Sequence, residues 1–248
     1  MPLPFDLSMG AGAFLAAALF AAAFIRGYSG FGFSAIFIIL AALVTNPLPL
    51  IPVVFACEIA MTAFQARGIR PHIDWRRSCA LLAGAAVATL PAVAVMARLG
   101  PDQARLVISV LILALSLLLL SGWSLTRPIG TAGHVAVGVA SGMANSAGVG
   151  GLPAAAFMTA QPIPPAVFRA TMIVFLTGID LMALPVMSAH GLTGPDTLWG
   201  VVLAFPILGA GVWVGSRGFA LAAPHLFRRY VVTLMAGLAA LNIAKAAL

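Results

Sequence analysis

Two glycine-rich interruptions are the places in this chain where backbone could hold a ligand. The first reads Ser29-Gly30-Phe31-Gly32-Phe33 and the second Ala147-Gly148-Val149-Gly150-Gly151. Each breaks an apolar stretch. A helix that stops and restarts leaves N–H and C=O groups without intrahelical partners, and the restarted end presents free N–H groups at a positive dipole end. That is a natural anion site. Glycine permits positive φ and close approach of a ligand to the backbone. Ser29, Ser34, Asn145 and Ser146 add hydroxyl and amide groups at the same two places. One G-x-G would read more readily as close helix packing. Two copies in matching surroundings favour binding by Gly30, Gly32, Gly148, Gly150 and Gly151.

Charged residues near these breaks could complete a site. Arg26 immediately precedes the first break and could neutralise a bound anion, or could anchor a helix end at a membrane surface; Arg169, after the second, has the same two readings. Glu58 and Asp180 fall inside apolar segments. Carboxylates there are costly, face the bundle interior and are candidates for proton coupling, because burial brings their neutral and charged forms close in cost. The alternative is a buried structural ion pair or hydrogen bond.

The elements that must position these residues are membrane helices. The chain is 62% hydrophobic and 8% charged, against about 25% charged in a soluble domain. Residues 7–25, 27–57, 78–97 and 197–216 contain no Asp, Glu, Lys or Arg, and about 20 such residues cross a bilayer core. Apolar segments fall at about 8–26, 31–44, 48–66, 78–97 and 104–122, then at about 131–146, 150–160, 165–187, 197–215 and 230–247. The second segment of each set of five is too short to span. It should pair with its predecessor as a bent or re-entrant half-helix.

The two sets are copies. Gly148 follows Gly30 by 118 residues, and the proline element Gln161-Pro162-Ile163-Pro164 follows Asn46-Pro47-Leu48-Pro49 by 115. The 67–77 loop carries four arginines, whereas its counterpart at about 188–196 carries no Arg or Lys and ends in Asp196. Basic loops face the cytoplasm, so the repeats, 8–122 and 131–248, should be inverted. Placing the 67–77 loop inside puts ten basic residues inside and three, Arg98, Arg105 and Lys245, outside. Both termini then lie outside. The expected fold is a single all-α polytopic membrane domain of two inverted repeats, each with a Gly-broken half-helix pair.

Several function classes are disfavoured. The pI near 11 comes from residues scattered over short loops, with no basic run, so nucleic-acid binding is not indicated. His72, His134, His190 and His225 are dispersed, and Cys57 and Cys79 have no metal-ligand spacing. No metal and no cofactor is expected. No Walker A, G-x-S-x-G or H-E-x-x-H motif occurs, so neither an ATP-driven pump nor a familiar hydrolase is indicated. Residues 1–10 contain no Lys or Arg, which favours a retained first helix over a cleaved signal peptide. Trp75, Trp123 and Trp199 sit at segment ends, as interfacial aromatics do.

On the paired Gly breaks, the Gly148-Val149-Gly150-Gly151 echo, the downstream prolines and the hydropathy over about 250 residues, the chain resembles the sulfite exporter TauE/SafE family, the toluenesulfonate uptake permease group. The resemblance covers essentially the whole chain. Family members often carry a longer glycine run at the first break, where Phe33 and Ser34 stand here. The resemblance implies a transporter in the bacterial inner membrane for sulfur-containing anions such as sulfite, sulfoacetate or other organosulfonates, not an enzyme. It favours export, although the same site physics serves uptake. The alternatives are a passive anion channel, an uptake permease for another small organic anion and, most remotely, a membrane-embedded enzyme. The expected partners are the anion and the lipid bilayer; self-association into a homo-oligomer stays open.

Overall fold

The computed structural model describes residues 4–125, 129–218 and 224–247. Among them the chain forms ten α-helices in the order the apolar segments predict. They are α1 (Met9–Ser29), α2 (Phe33–Ala41), α3 (Ile51–Ile69), α4 (Trp75–Met96), α5 (Pro101–Leu120), α6 (Thr131–Asn145), α7 (Gly151–Thr159), α8 (Pro165–Ala189), α9 (Pro195–Gly218) and α10 (Pro224–Ala247). α1, α4, α5, α8 and α9 are long and apolar enough to cross a membrane. α2 and α7, with 9 residues each, are about 14 Å long at 1.5 Å per residue, roughly half a bilayer core.

Local chemistry explains the boundaries. The Ser8 hydroxyl accepts from Ala11 N at the start of α1, and Asp74 accepts from Arg77 N at the start of α4. The paired proline elements each deliver the chain into the third helix of their half, α3 or α8, with proline in the first turn, where its missing N–H costs nothing. Several helices run past the apolar limits because basic residues continue them. α1 carries Arg26 through to Ser29, α4 starts at Trp75 and includes Arg76 and Arg77, and α9 ends beyond Arg217. The part of Pro224–Ala247 before residue 230 was not expected as helix; its proline at the first position is a start signal.

The strongest helix crossings are α4 on α6 and α1 on α9. Both depend on glycine. A Cβ on Gly84, Gly138 or Gly142 would collide with the Val135, Leu81 or Ala85 carbonyl, and one on Gly27 or Gly215 with the Val212 or Phe24 carbonyl. Backbones this close replace the hydrophobic drive that lipid cannot supply between apolar helices. α3 packs on α8 at the centre, α5 on α10, and the short α2 and α7 fold back against α1 and α6. Many large apolar side chains are exposed, among them Val87, Leu90, Val95 and Leu198, with Trp75, Trp123 and Trp199 at or near helix ends. That is the surface of a multi-pass membrane protein.

Candidate functional site

The first break is built by two left-handed glycines, Gly30 at φ 84° and Gly32 at φ 90°. Gly30 terminates α1 and its N–H returns to Arg26 O; Gly32 begins α2 with no side-chain cap. The first-turn N–H groups of Phe33, Ser34 and Ala35 therefore have no partner from their own helix. All three residues are buried. The Ser29 hydroxyl lies 2.8 Å from both Ile25 O and Phe31 O and so stabilises the bend itself.

At the second break only Gly148, at φ 74°, is left-handed; Gly150 has helical φ and caps α7. Here the Leu152 N–H is taken by Val149 O, and Pro153 has none, so α7 offers fewer donors than α2. The two breaks match in sequence and differ in donor supply. Gly148 sits against Ile38 and Ile51, Gly151 against Leu176, and Gly150 against Asn145. Ser146 donates to Met143 O. Gly30, by contrast, sits against Arg169, and Gly32 against Ile36 and Ile25.

Polar residues from four helices meet in the core. Arg26 of α1 is wholly buried, and its Nη1 donates to Glu58 Oε1 of α3 at 3.0 Å. The reading of Arg26 as a helix-end anchor at the membrane surface is thereby corrected: α1 continues past it to Ser29, and its guanidinium is paired with Glu58 in the interior. Asp180 of α8, also wholly buried, meets the Glu58 carboxyl, and its Oδ1 accepts from Asn145 Nδ2 of α6 at 3.4 Å. Among the described residues, Arg26 Nε and Nη2 and Asp180 Oδ2 have no direct hydrogen-bond partner in the usual donor–acceptor sense. The network thus holds one cation, two carboxyl groups and unfilled hydrogen-bonding capacity in a low-dielectric interior. Groups left unsatisfied in such surroundings are costly, about 1–3 kcal/mol each and more when charged.

Arg169 of α8 stands beside this network, near enough for its charge to oppose that of Arg26. Its Nη2 donates to Gly27 O at 2.8 Å and reaches Ser216 Oγ of α9 at 3.5 Å. A basic side chain on the last carbonyls of α1 also complements the negative end of that helix. Arg169, Gln65 and Ser216 line a cavity of about 620 Å3 between α3, α8 and α9.

Of the residues the sequence singles out, the structure joins Arg26, Glu58, Asp180 and Asn145 into one network and packs Gly150 against Asn145. It places Ser29, Gly30 and Arg169 together at the first break. Sequence reasoning missed the contact of Thr62 Oγ1 with Thr177 Oγ1, 2.6 Å apart where α3 crosses α8. The signal was present, since the two threonines are separated by 115 residues, the same interval as the proline elements. It missed the cavity entirely: Trp213, Ser216 and Arg217 belong to no repeated motif.

A family model described as Sulfite exporter TauE/SafE matches residues 14–242, nearly the whole chain and every residue of the network. No curated protein and no solved structure matches it.

Proposed function

We propose that this chain, which belongs to the sulfite exporter TauE/SafE family, is a secondary transporter that moves sulfur-containing anions such as sulfite, sulfoacetate or other organosulfonates across the bacterial inner membrane by alternating access. The observation that carries the reading is the buried Arg26–Glu58–Asp180–Asn145 network, which draws one helix pair from each half of the chain. Transporters of anions place such charges in the bundle interior beside interrupted helices. In this reading the first-turn N–H groups after Gly32, with Ser34 and Asn145, supply the remaining polar wall, while Ser29, Gly30, Ser146, Gly148, Gly150 and Gly151 shape the two breaks.

Two inverted repeats, 8–122 and 131–248, give the alternation its mechanism. The helix contacts keep their pattern when the halves are exchanged. α1 on α9 becomes α6 on α4, α3 on α9 becomes α8 on α4, and α2 on α10 becomes α7 on α5, all of which occur. Thr62 and Thr177, equivalent by the 115-residue interval, meet each other and back-bond to Glu58 O and Ile173 O, themselves equivalent. Equivalent residues touch only near a two-fold axis. With the 67–77 loop inside, both termini lie outside and Gln65 faces a cavity on the cytoplasmic end. Its equivalent, Asp180, is sealed at the other.

The proton carrier in this reading is Asp180. Glu58 is tied to Arg26, whereas Asp180 keeps an oxygen without a partner. The charged and titratable groups facing it are Glu58 from α3 and Arg26 from α1, with Asn145 from α6 and Arg169 further along its own helix. A neutral Asp180 leaves the network with no net charge; an ionised one makes it negative and repels an anion. Proton and anion therefore favour each other's binding, and the imposed gradients set the direction. Flux of sulfite and sulfoacetate into proteoliposomes, with and without a pH gradient, tests the reading. Saturable flux accelerated by the gradient is expected. Non-saturating flux indifferent to it would indicate a passive channel, and no flux of either anion would dismiss the substrate class.

A further inference from the structure

The cavity between α3, α8 and α9 is chemically distinct from the buried network. Its volume of about 620 Å3 lies within the roughly 300–1,000 Å3 of small-molecule sites, far more than close helix packing leaves. Its wall carries two guanidiniums, Arg169 and Arg217, and among the described residues no carboxylate. Arg217 is exposed and is held over the face of Trp213, 3.7 Å from the ring centroid, so its position is set before any ligand arrives. Trp213 is itself 58% exposed. Gln65 lines the cavity, yet it is only 7% exposed, and among the described residues neither its amide nitrogen nor its amide oxygen has a partner. A buried amide in that condition is unfavourable unless something completes it.

We propose that this cavity is an anion-docking site in series with the Arg26–Glu58 network. It takes the oxyanion head of a small sulfonate or sulfite-like anion. Arg217 and Arg169 supply the charge, the Gln65 amide N–H donates to an anion oxygen, and Trp213 forms an apolar wall for an organic substituent. Guanidinium forks suit planar and tetrahedral oxyanions alike, because their donors are fixed in one plane. Arg169 gives the site a route inward. Its guanidinium bonds Gly27 O and its stem fills the space beside Gly30, so an anion that engages Arg169 competes with the contacts that hold the first break closed. The identity of the anion rests on the transport reading; the existence of the site does not.

Equilibrium binding of sulfite, methanesulfonate and benzenesulfonate to the full chain in lipid nanodiscs, followed by tryptophan fluorescence, tests the proposal. Wild type should show a saturable change that Trp213→Phe removes. Arg217→Gln should weaken binding about tenfold or more and Gln65→Leu several-fold, with Arg217→Lys, which keeps the charge but loses the planar fork, falling between Arg217→Gln and wild type. Arg98→Gln, an exposed arginine elsewhere, should match wild type. Arg217 is at the surface, so its variants test the site even where Gln65→Leu fails to fold. A change that does not saturate, or an Arg217→Gln variant that binds like Arg98→Gln, overturns the docking site, even where flux is intact. Saturable, Arg217-dependent binding without flux supports the docking site and refutes transport.

Discussion

Replacing Glu58 with Gln should be the most destabilising conservative change in the core, and Asp180→Asn one of the mildest. The Arg26 guanidinium is wholly buried, and Glu58 Oε1, 3.0 Å from Nη1, is its one acceptor among the described residues. Gln keeps size and a carbonyl oxygen but removes the countercharge. Breaking a buried ion pair by removing one partner costs about 3–5 kcal/mol, because the other charge stays buried without compensation. At roughly 2–4 °C per kcal/mol for a chain of this size, Tm should fall by about 6–20 °C. Asp180 accepts one 3.4 Å hydrogen bond from Asn145 and meets the Glu58 carboxyl, contacts that an Asn amide can also make, so Asn there should cost no more than about 1 kcal/mol. Thermal unfolding of the purified protein in one detergent gives both values. The double variant Arg26→Met/Glu58→Leu supplies the control: exchanging a whole buried pair for apolar groups is often neutral or stabilising, so Tm should recover while anion flux does not. Glu58→Gln melting with wild type would refute the pair as the element that keeps Arg26 buried. Recovery of flux in the double variant would refute its place in transport.

Gly148→Val should insert normally yet lose flux, since its φ of 74° disfavours any Cβ and Ile38 Cγ1 lies 3.2 Å from where one would sit; normal flux would remove Gly148 from the site. Thr62→Cys/Thr177→Cys, with Cys57 and Cys79 replaced, should cross-link on mild oxidation and still transport, because a pair on the repeat axis keeps its separation as the halves exchange; a cross-link that stops flux would place it off the axis. A periplasm-only reporter fused at the C-terminus should be active, and a silent fusion with an active cytoplasmic reporter would reverse the topology. Burial pushes the Asp74 carboxyl up, but the Arg77 N–H and guanidinium outweigh it and hold it below the usual carboxylate range. The stability it lends α4 is therefore present above the unfolded-state value of about 3.9 and lost as pH falls through the folded one. Wild type and Asp74→Ala should differ in Tm at pH 7 and converge at low pH, and a constant gap would refute the linkage.

The order and number of helices were legible because each depends on a local rule. Apolar runs, glycine breaks and prolines in first turns act within a few residues, and lipid admits only backbone that satisfies its own hydrogen bonds, as a helix does within one segment. Helix ends were less legible wherever a basic residue continues a helix whose apolar run has stopped, as at Arg26, Arg76 and Arg217.

The candidate site divides along the same line. Glycines and hydroxyls at the breaks could be named from sequence because the duplication marks them. The pairing of Arg26 with Glu58, 32 residues away, and of Asn145 with Asp180, 35 residues away, could not. Nothing in either segment specifies which face of α3 meets α1; that follows from where glycines on α1 and α9 let backbones touch, and from the α3–α8 crossing. The interval held one pairing more than was taken from it: besides setting Gln65 opposite Asp180, 115 residues set Thr62 opposite Thr177, and these two threonines meet where α3 crosses α8. By the same interval Glu58 falls opposite Ile173 and Arg169 opposite Val54, so these charged residues have no charged counterpart in the other half. Those departures gather where the charges are, which is expected if the duplicated scaffold supplies the motion and the unmatched residues supply the chemistry.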